Sequence, residues 1–185
     1  MTDGKGRVCP VERAGSLDSR IRRWVQSPRK ILAPHVKEGM AVLDMGCGPG
    51  FFSIELAHLV GESGRVIASD LQEGMLDKLR AKIEGTDLAR RITLHQCQEN
   101  TVGLSGQVDF VLAFYMIHEL PDQAHFFREI ASLLKPNGQI LIVEPPLHVS
   151  KRAFEDTLAA ALSAGLKLLE RPRVLFSKAG LLQKS

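Results

Sequence analysis

The stretch Ala41-Val42-Leu43-Asp44-Met45-Gly46-Cys47-Gly48-Pro49-Gly50 constrains this 185-residue chain more than any other. A short apolar run ends in an aspartate, and three glycines follow at alternate positions. The run reads as a buried strand, and the glycines as a turn feeding a helix that starts near Phe51. Glycine lets the backbone take φ > 0 and lets a ligand approach main-chain atoms closely. Open α/β sheets hold ligands at the carboxyl ends of their strands, so this loop suits a nucleotide-like cofactor. A dinucleotide fingerprint, G-x-G-x-x-G, needs a third glycine where this chain has Phe51. That argues against an NAD-dependent oxidoreductase. A glycine loop alone can also serve any tight strand-to-helix turn. A second signal joins it: Val66-Ile67-Ala68-Ser69-Asp70 is apolar and ends in an acid about 20 residues after the loop, the spacing at which an acid takes ribose hydroxyls. The alternative for Asp70 is a helix N-cap.

Taken in order, residues 1–15 read as an irregular arm. Ser16 can cap a helix with an apolar stripe of Leu17, Ile21, Trp24 and Val25. Pro28 interrupts, and a short helix carries Ile31 and Leu32. Trp24 either anchors the arm or belongs to a lid over the cofactor pocket. The stripe also suits a homodimer contact. Strand one follows Gly39-Met40. Beyond the loop, the pattern predicts a helix to Val60, a strand over 65–70, a helix over 75–84 and strands over 92–96 and 108–113. Asp122 to Leu134 reads as a helix with Phe126, Phe127, Ile130 and Leu133 buried. Lys135-Pro136-Asn137-Gly138 is a turn signal ahead of a strand over 139–143. A helix over 154–164 precedes a closing hairpin, Leu166–Leu169 with a segment near Gly180-Leu181-Leu182. Such alternation implies an open, mostly parallel sheet with helices on both faces, and one antiparallel strand. The organisation expected is a helical arm over 1–36 and one domain over 37–185.

The composition, 44% hydrophobic and 24% charged, is that of an ordinary globular chain. No apolar run nears the ~20 residues of a membrane span, and no N-terminal apolar segment resembles a signal peptide. Three cysteines (Cys9, Cys47, Cys97) without a CxxC pair fit a reducing cytoplasm rather than a disulfide framework. The net charge is +3, but nine of the 24 Lys and Arg lie in the first 37 residues, against Asp3, Glu12 and Asp18. That basic arm can attract an anion, yet aromatic residues for base stacking are scarce, which argues against nucleic acid.

From Met40 to Leu182 the sequence resembles the class I S-adenosylmethionine (SAM) methyltransferases, and in particular the ubiquinone/menaquinone C-methyltransferase-like group. Four features carry the resemblance: Val42 to Gly50; Asp70 with Gly74-Met75-Leu76; Val108-Asp109-Phe110-Val111-Leu112; and Leu133-Leu134-Lys135-Pro136-Asn137-Gly138-Gln139-Ile140. The resemblance implies a Rossmann-like, seven-stranded sheet of order 3-2-1-4-5-7-6 with strand seven antiparallel. It implies SAM as cofactor, with Asp44, Gly46, Cys47, Gly48 and Gly50 around its methionine part and ribose, and Asp70 on the ribose hydroxyls. Leu71 and Met75 would pack on the adenine, and main chain near Ala113 and Phe114 would approach the methionine end. Where the family carries an aspartate for the adenine amino group, this chain has Gln98, with Glu99 beside it. A glutamine oxygen accepts the same bond without charge assistance.

Methyl transfer from a sulfonium is an in-line displacement, so much of the enzyme's task is positioning. A base is needed only where the acceptor must lose a proton. His118, Glu119, Glu144 and His148 follow strand ends and are candidates. A structural role suits His118 as well. His118-Glu119 begins like a zinc-binding HExxH, but the fifth residue is Asp122, so no metal is expected. The function expected is a SAM-dependent methyltransferase with a small-molecule acceptor. A SAM-binding scaffold or sensor is the alternative.

Overall fold

The structure is a computed structural model and describes residues 27–185. The helix read around Leu17 to Val25, the homodimer contact assigned to it and Cys9 therefore lie outside the described residues. A short helix α1 (Pro28–Leu32) leads into strand β1 (Ala41–Met45). Then come α2 (Ser53–Val60), β2 (Arg65–Asp70), α3 (Glu73–Ile83), β3 (Ile92–Gln96) and β4 (Val108–Phe114). The chain closes with α4 (Gln123–Leu133), β5 (Leu134–Glu144), α5 (Lys151–Ser163), β6 (Leu166–Glu170) and β7 (Lys178–Lys184).

The strands form one sheet of order β3-β2-β1-β4-β5-β7-β6. β1 pairs in parallel with both β2 and β4, and β7 runs antiparallel to β5 and β6. The strand order reverses between β1 and β4, which opens a crevice beyond their carboxyl ends. Strand alternation divides the core into two layers. Val42, Phe110, Leu112 and Leu141 face one way and meet Leu32, Leu56, Leu76 and Leu79 from α1, α2 and α3. Leu43, Val111, Ile140 and Ile142 face the other way and meet Phe127, Ile130, Phe154 and Leu158 from α4 and α5. Burial on both faces explains why β1 is apolar throughout except at Asp44.

The helix that the spacing begins near Phe51 begins at Ser53, because the glycine turn runs on through Phe52. Asp122 caps α4 by accepting from the His125 N–H at 2.8 Å. The turn signal Lys135-Pro136-Asn137-Gly138 falls within β5. Between the pairs Val108↔Leu134 and Phe110↔Gln139, β4 advances two residues while β5 advances five. The excursion carries Asn137 at φ 63, and it brings Lys135 Nζ to 2.8 Å from both carboxylate oxygens of Asp109. Asp109 Oδ2 also accepts from the Ala41 N–H, so one carboxylate fastens β1, β4 and β5 at the edge remote from the crevice. Leu32 and Val36 are core residues, so part of the segment before residue 37 packs into the domain. No helix among the described residues is long and apolar enough to cross a membrane.

Candidate active site

The glycine loop leaves β1 and is pinned from three sides. The Cys47 N–H donates to Ser69 O at 3.0 Å, the Gly50 N–H closes the turn onto Cys47 O, and Lys82 Nζ of α3 donates to Pro49 O at 2.7 Å. Gly48 and Gly50 both take positive φ, +53° and +86°, for different reasons. A Cβ on Gly50 would sit 2.2 Å from Leu79 Cδ1, so this glycine lets the loop press on α3. A Cβ on Gly48 would meet nothing within 4 Å, because that side of the backbone faces the crevice.

The crevice is a cavity of about 880 Å³, within the range of small-molecule sites. Ten of the twelve predicted cofactor residues line it: Asp44, Gly46, Cys47, Gly48, Asp70, Leu71, Met75, Gln98, Glu99 and Phe114. Gly50 is taken up with Leu79, and Ala113 points into the core layer beneath α4 and α5. Asp44 is buried and accepts from Ser53 Oγ at 2.6 Å. Burial pushes its carboxyl up to about 7, against the Ser53 hydrogen bond and with help from the charge of Asp70. Asp70 accepts from the Gly48 N–H at 2.8 Å and the Gln72 N–H at 2.9 Å. Burial raises its carboxyl, and those N–H groups oppose the rise. Each carboxylate oxygen has more than one lone pair, so Asp70 keeps acceptor capacity toward the cavity.

Beyond β3, the Gln98 and Thr101 backbones bond each other across a tight turn that presents Glu99 and Asn100. Glu129 of α4 holds that turn: Oε1 accepts from Thr101 Oγ1 at 2.5 Å and Oε2 from the Val102 N–H at 2.9 Å. Sequence reading missed Glu129. Asp122, His125, Phe126 and Glu129 all line the cavity, and their i, i+3, i+4, i+7 spacing was the available signal. Opposite lies an aromatic wall. Phe52 and Phe114 stand 4.4 Å apart between ring centres, as do Phe114 and Tyr115, with Phe51 edge-on to Phe52. Tyr115 takes φ 61 as it leaves β4 and its hydroxyl reaches Ser177 Oγ at 2.5 Å.

Of the four candidate bases, Glu119 alone lines the cavity. Burial raises its carboxyl, and the neighbouring His118 charge opposes that rise. His118 Nδ1 lies 2.5 Å from Glu144 Oε2, and Glu144 Oε1 accepts from the Ile117 and His118 N–H groups. The bond to Glu144 raises the His118 pKa above its ordinary value. Glu144 is fully buried, so this pair welds the end of β4 to the end of β5. His148 stacks on His118 at 6.4 Å.

A crevice of this shape at the β1–β4 reversal, with an acid closing each of β1 and β2, defines a nucleoside-cofactor site on a doubly wound sheet. A family model described as a methyltransferase domain matches residues 36–173, and the chain belongs to this family of class I SAM-dependent methyltransferases. It is 34% identical over 123 residues to the demethylmenaquinone methyltransferase of Lactococcus lactis subsp. lactis (strain IL1403), covering 63% of this chain and 48% of that protein. It is 30% identical over 125 residues to the demethylmenaquinone methyltransferase of Bacillus cereus (strain ATCC 10987 / NRS 248), covering 68% of this chain and 52% of that protein. The chain thus spans about half the length of these relatives. The crystal structure of a SAM dependent methyltransferase from Aquifex aeolicus superposes with a TM-score of 0.83 at 26% identity, over 95% of this chain and 98% of that one.

SAM is the cofactor of the family, and the residues present suit it. The bare Gly48 backbone admits a ligand against the main chain, Asp70 offers acceptor capacity, and Asp44 and Asp70 supply negative charge for a cation.

Proposed function

We propose that this protein transfers a methyl group from SAM to a small, largely apolar acceptor, in a reducing cytoplasm where Cys47 and Cys97 stay thiols. The observation that carries this reading is the pairing, in one cavity, of an acid-and-glycine wall with an aromatic wall. Bound SAM supplies a methyl group activated on a sulfonium centre. In this reading Asp70 accepts the ribose hydroxyls, Leu71 and Met75 cover the adenine, and Gln98 or Glu99 accepts its amino hydrogen. Asp44 and the loop backbone from Gly46 to Gly48 hold the charged end. Phe51, Phe52, Phe114 and Tyr115 exclude water and flatten the acceptor against the methyl group. The names of the two relatives support an acceptor of the demethylmenaquinone kind, a ring that these aromatic side chains would stack upon. Glu119 is the carboxylate available to take the proton that a ring carbon releases. His118 positions the segment that carries it.

The test is calorimetry with SAM, S-adenosylhomocysteine and NAD, followed by turnover of a demethylmenaquinone analogue supplied reduced as its quinol, whose electron-rich ring carbon can displace the methyl group and then release its proton. Both sulfur ligands are expected to bind, and Asp70→Ala to weaken them at least about tenfold. Glu119→Gln is expected to keep SAM affinity while lowering kcat by roughly 100-fold or more. Binding of NAD alone would overturn the reading. Unchanged kcat in Glu119→Gln would remove its proton-accepting role.

A further inference from the structure

Three large apolar side chains stand in solvent at the carboxyl end of the sheet. Leu147 is 93% exposed, Phe176 83% and Leu175 52%. They lie on two loops, one after β5 and one before β7, and those loops are joined. Glu144 and Lys178 are paired in the sheet, and Lys178 Nζ donates to Pro146 O at 3.3 Å. The bond from Tyr115 to Ser177 ties the same cluster to the aromatic wall of the cavity. Leu175 is held at φ 41, a backbone conformation disfavoured for leucine. Single exposed apolar residues are common, but several gathered on joined loops beside a site mark a contact surface.

The charges around the cluster say what kind of surface. Lys151 and Arg152 open α5 just beyond Leu147, and Arg173 and Lys178 flank Leu175 and Phe176. Of the acids near them, Glu155 is held by Arg171 through bonds of 2.6 and 2.7 Å, while Asp156 lies one turn beyond Arg152 and Glu170 lines a small cavity with Arg173, so cations outnumber unpaired acids four to two. Ser27, where the described residues begin, shares that small cavity with Arg173, Val174 and Leu175. Apolar tips on loops bordered by an excess of cations fit an anionic lipid surface.

We propose that this face docks on an anionic bilayer, with Leu147, Leu175 and Phe176 entering the headgroup boundary and Lys151, Arg152, Arg173 and Lys178 meeting lipid phosphates. The cavity mouth then opens at the membrane surface, and an apolar acceptor moves from lipid to the aromatic wall without crossing water. That last step rests on the acceptor reading above, whereas the docking does not.

The experiment is co-sedimentation of the full chain with phosphatidylcholine–phosphatidylserine vesicles and with phosphatidylcholine vesicles alone. Binding to the mixed vesicles is expected, weakened by salt and by omission of phosphatidylserine. The double variant Leu147→Ser/Phe176→Ser is expected to lose it at least about tenfold while binding SAM like the parent. The emission of Trp24, the only tryptophan, reads out the competing occupant. If residues 1–26 cover the cluster, the double variant shifts that emission with no vesicle present. Such a shift would overturn the proposal, as would vesicle binding that survives the double variant, no vesicle binding at all, or a dimer that the variant dissolves. Vesicle binding without any methyl transfer would leave the docking standing and remove the proposed activity.

Discussion

Asp44 shows how much one buried carboxyl controls. Its ordinary value is 3.8, and in the folded protein it is pushed up to about 7. Between those pH values the native state binds a proton that the unfolded chain has released. Stability therefore falls as pH rises through this window and stays lowered above it. Asp44→Asn keeps an oxygen for Ser53 and removes the buried charge. It is expected to match the parent below about pH 4 and to melt higher than it above about pH 7, checked by thermal denaturation across that range. A cationic cofactor favours the ionised form, so SAM should bind more tightly as pH rises through about 7 and should release a proton on binding. Calorimetry in buffers of different ionisation enthalpy reads that proton, and Asp44→Asn should abolish it. The sequence marked Asp44 as a site residue by its place before the glycines. Its protonation could not be read there, because it depends on burial beneath α2 and on the nearness of Asp70.

At the level of the element, the glycine loop separates two requirements that look alike in the sequence. Gly50→Ala would strain a backbone at φ +86 and drive a methyl into Leu79. It is expected to cost about 2–4 kcal/mol of stability, partly restored by Leu79→Ala. Gly48→Ala meets only the strain of φ +53, about 1–2 kcal/mol, and adds a methyl to the cavity wall. Denaturant midpoints beside SAM calorimetry should show Gly50→Ala losing chiefly stability and Gly48→Ala chiefly affinity. The turn over 98–101 depends in the same way on a distant element. Glu129→Ala strands the buried Val102 N–H, so that amide is expected to exchange faster with solvent and SAM to bind more weakly. In the sequence Gln98 and Glu99 stand out as a departure from the family, while the residue that holds their turn lies on another helix.

For the molecule as a whole, the site sits at one end of the sheet and its fastening at the other. Burial works against the Asp109 charge, yet the Lys135 ammonium and the Ala41 N–H hold its carboxyl below the usual range. That contribution is present above the ordinary carboxylate value and is lost as pH falls through the lowered one. Asp109→Ala is expected to cost about 1–3 kcal/mol near neutrality and to steepen loss of structure less in acid, with SAM affinity unchanged. Sequence by itself determined the order of strands and helices, the glycine turn and the acids that end β1 and β2. Those follow from hydrophobic period and backbone conformation, which neighbouring residues set locally. Only the tertiary structure decided that the Lys135-Pro136-Asn137-Gly138 turn lies inside a strand, that Glu119 rather than His118 faces the cavity, and that Glu129 holds the turn after β3. It also decided that Leu147, Leu175 and Phe176 stand exposed on two loops joined at the same end of the sheet. Each of these rests on contacts between residues far apart in the chain, and their geometry exists only once the sheet has assembled.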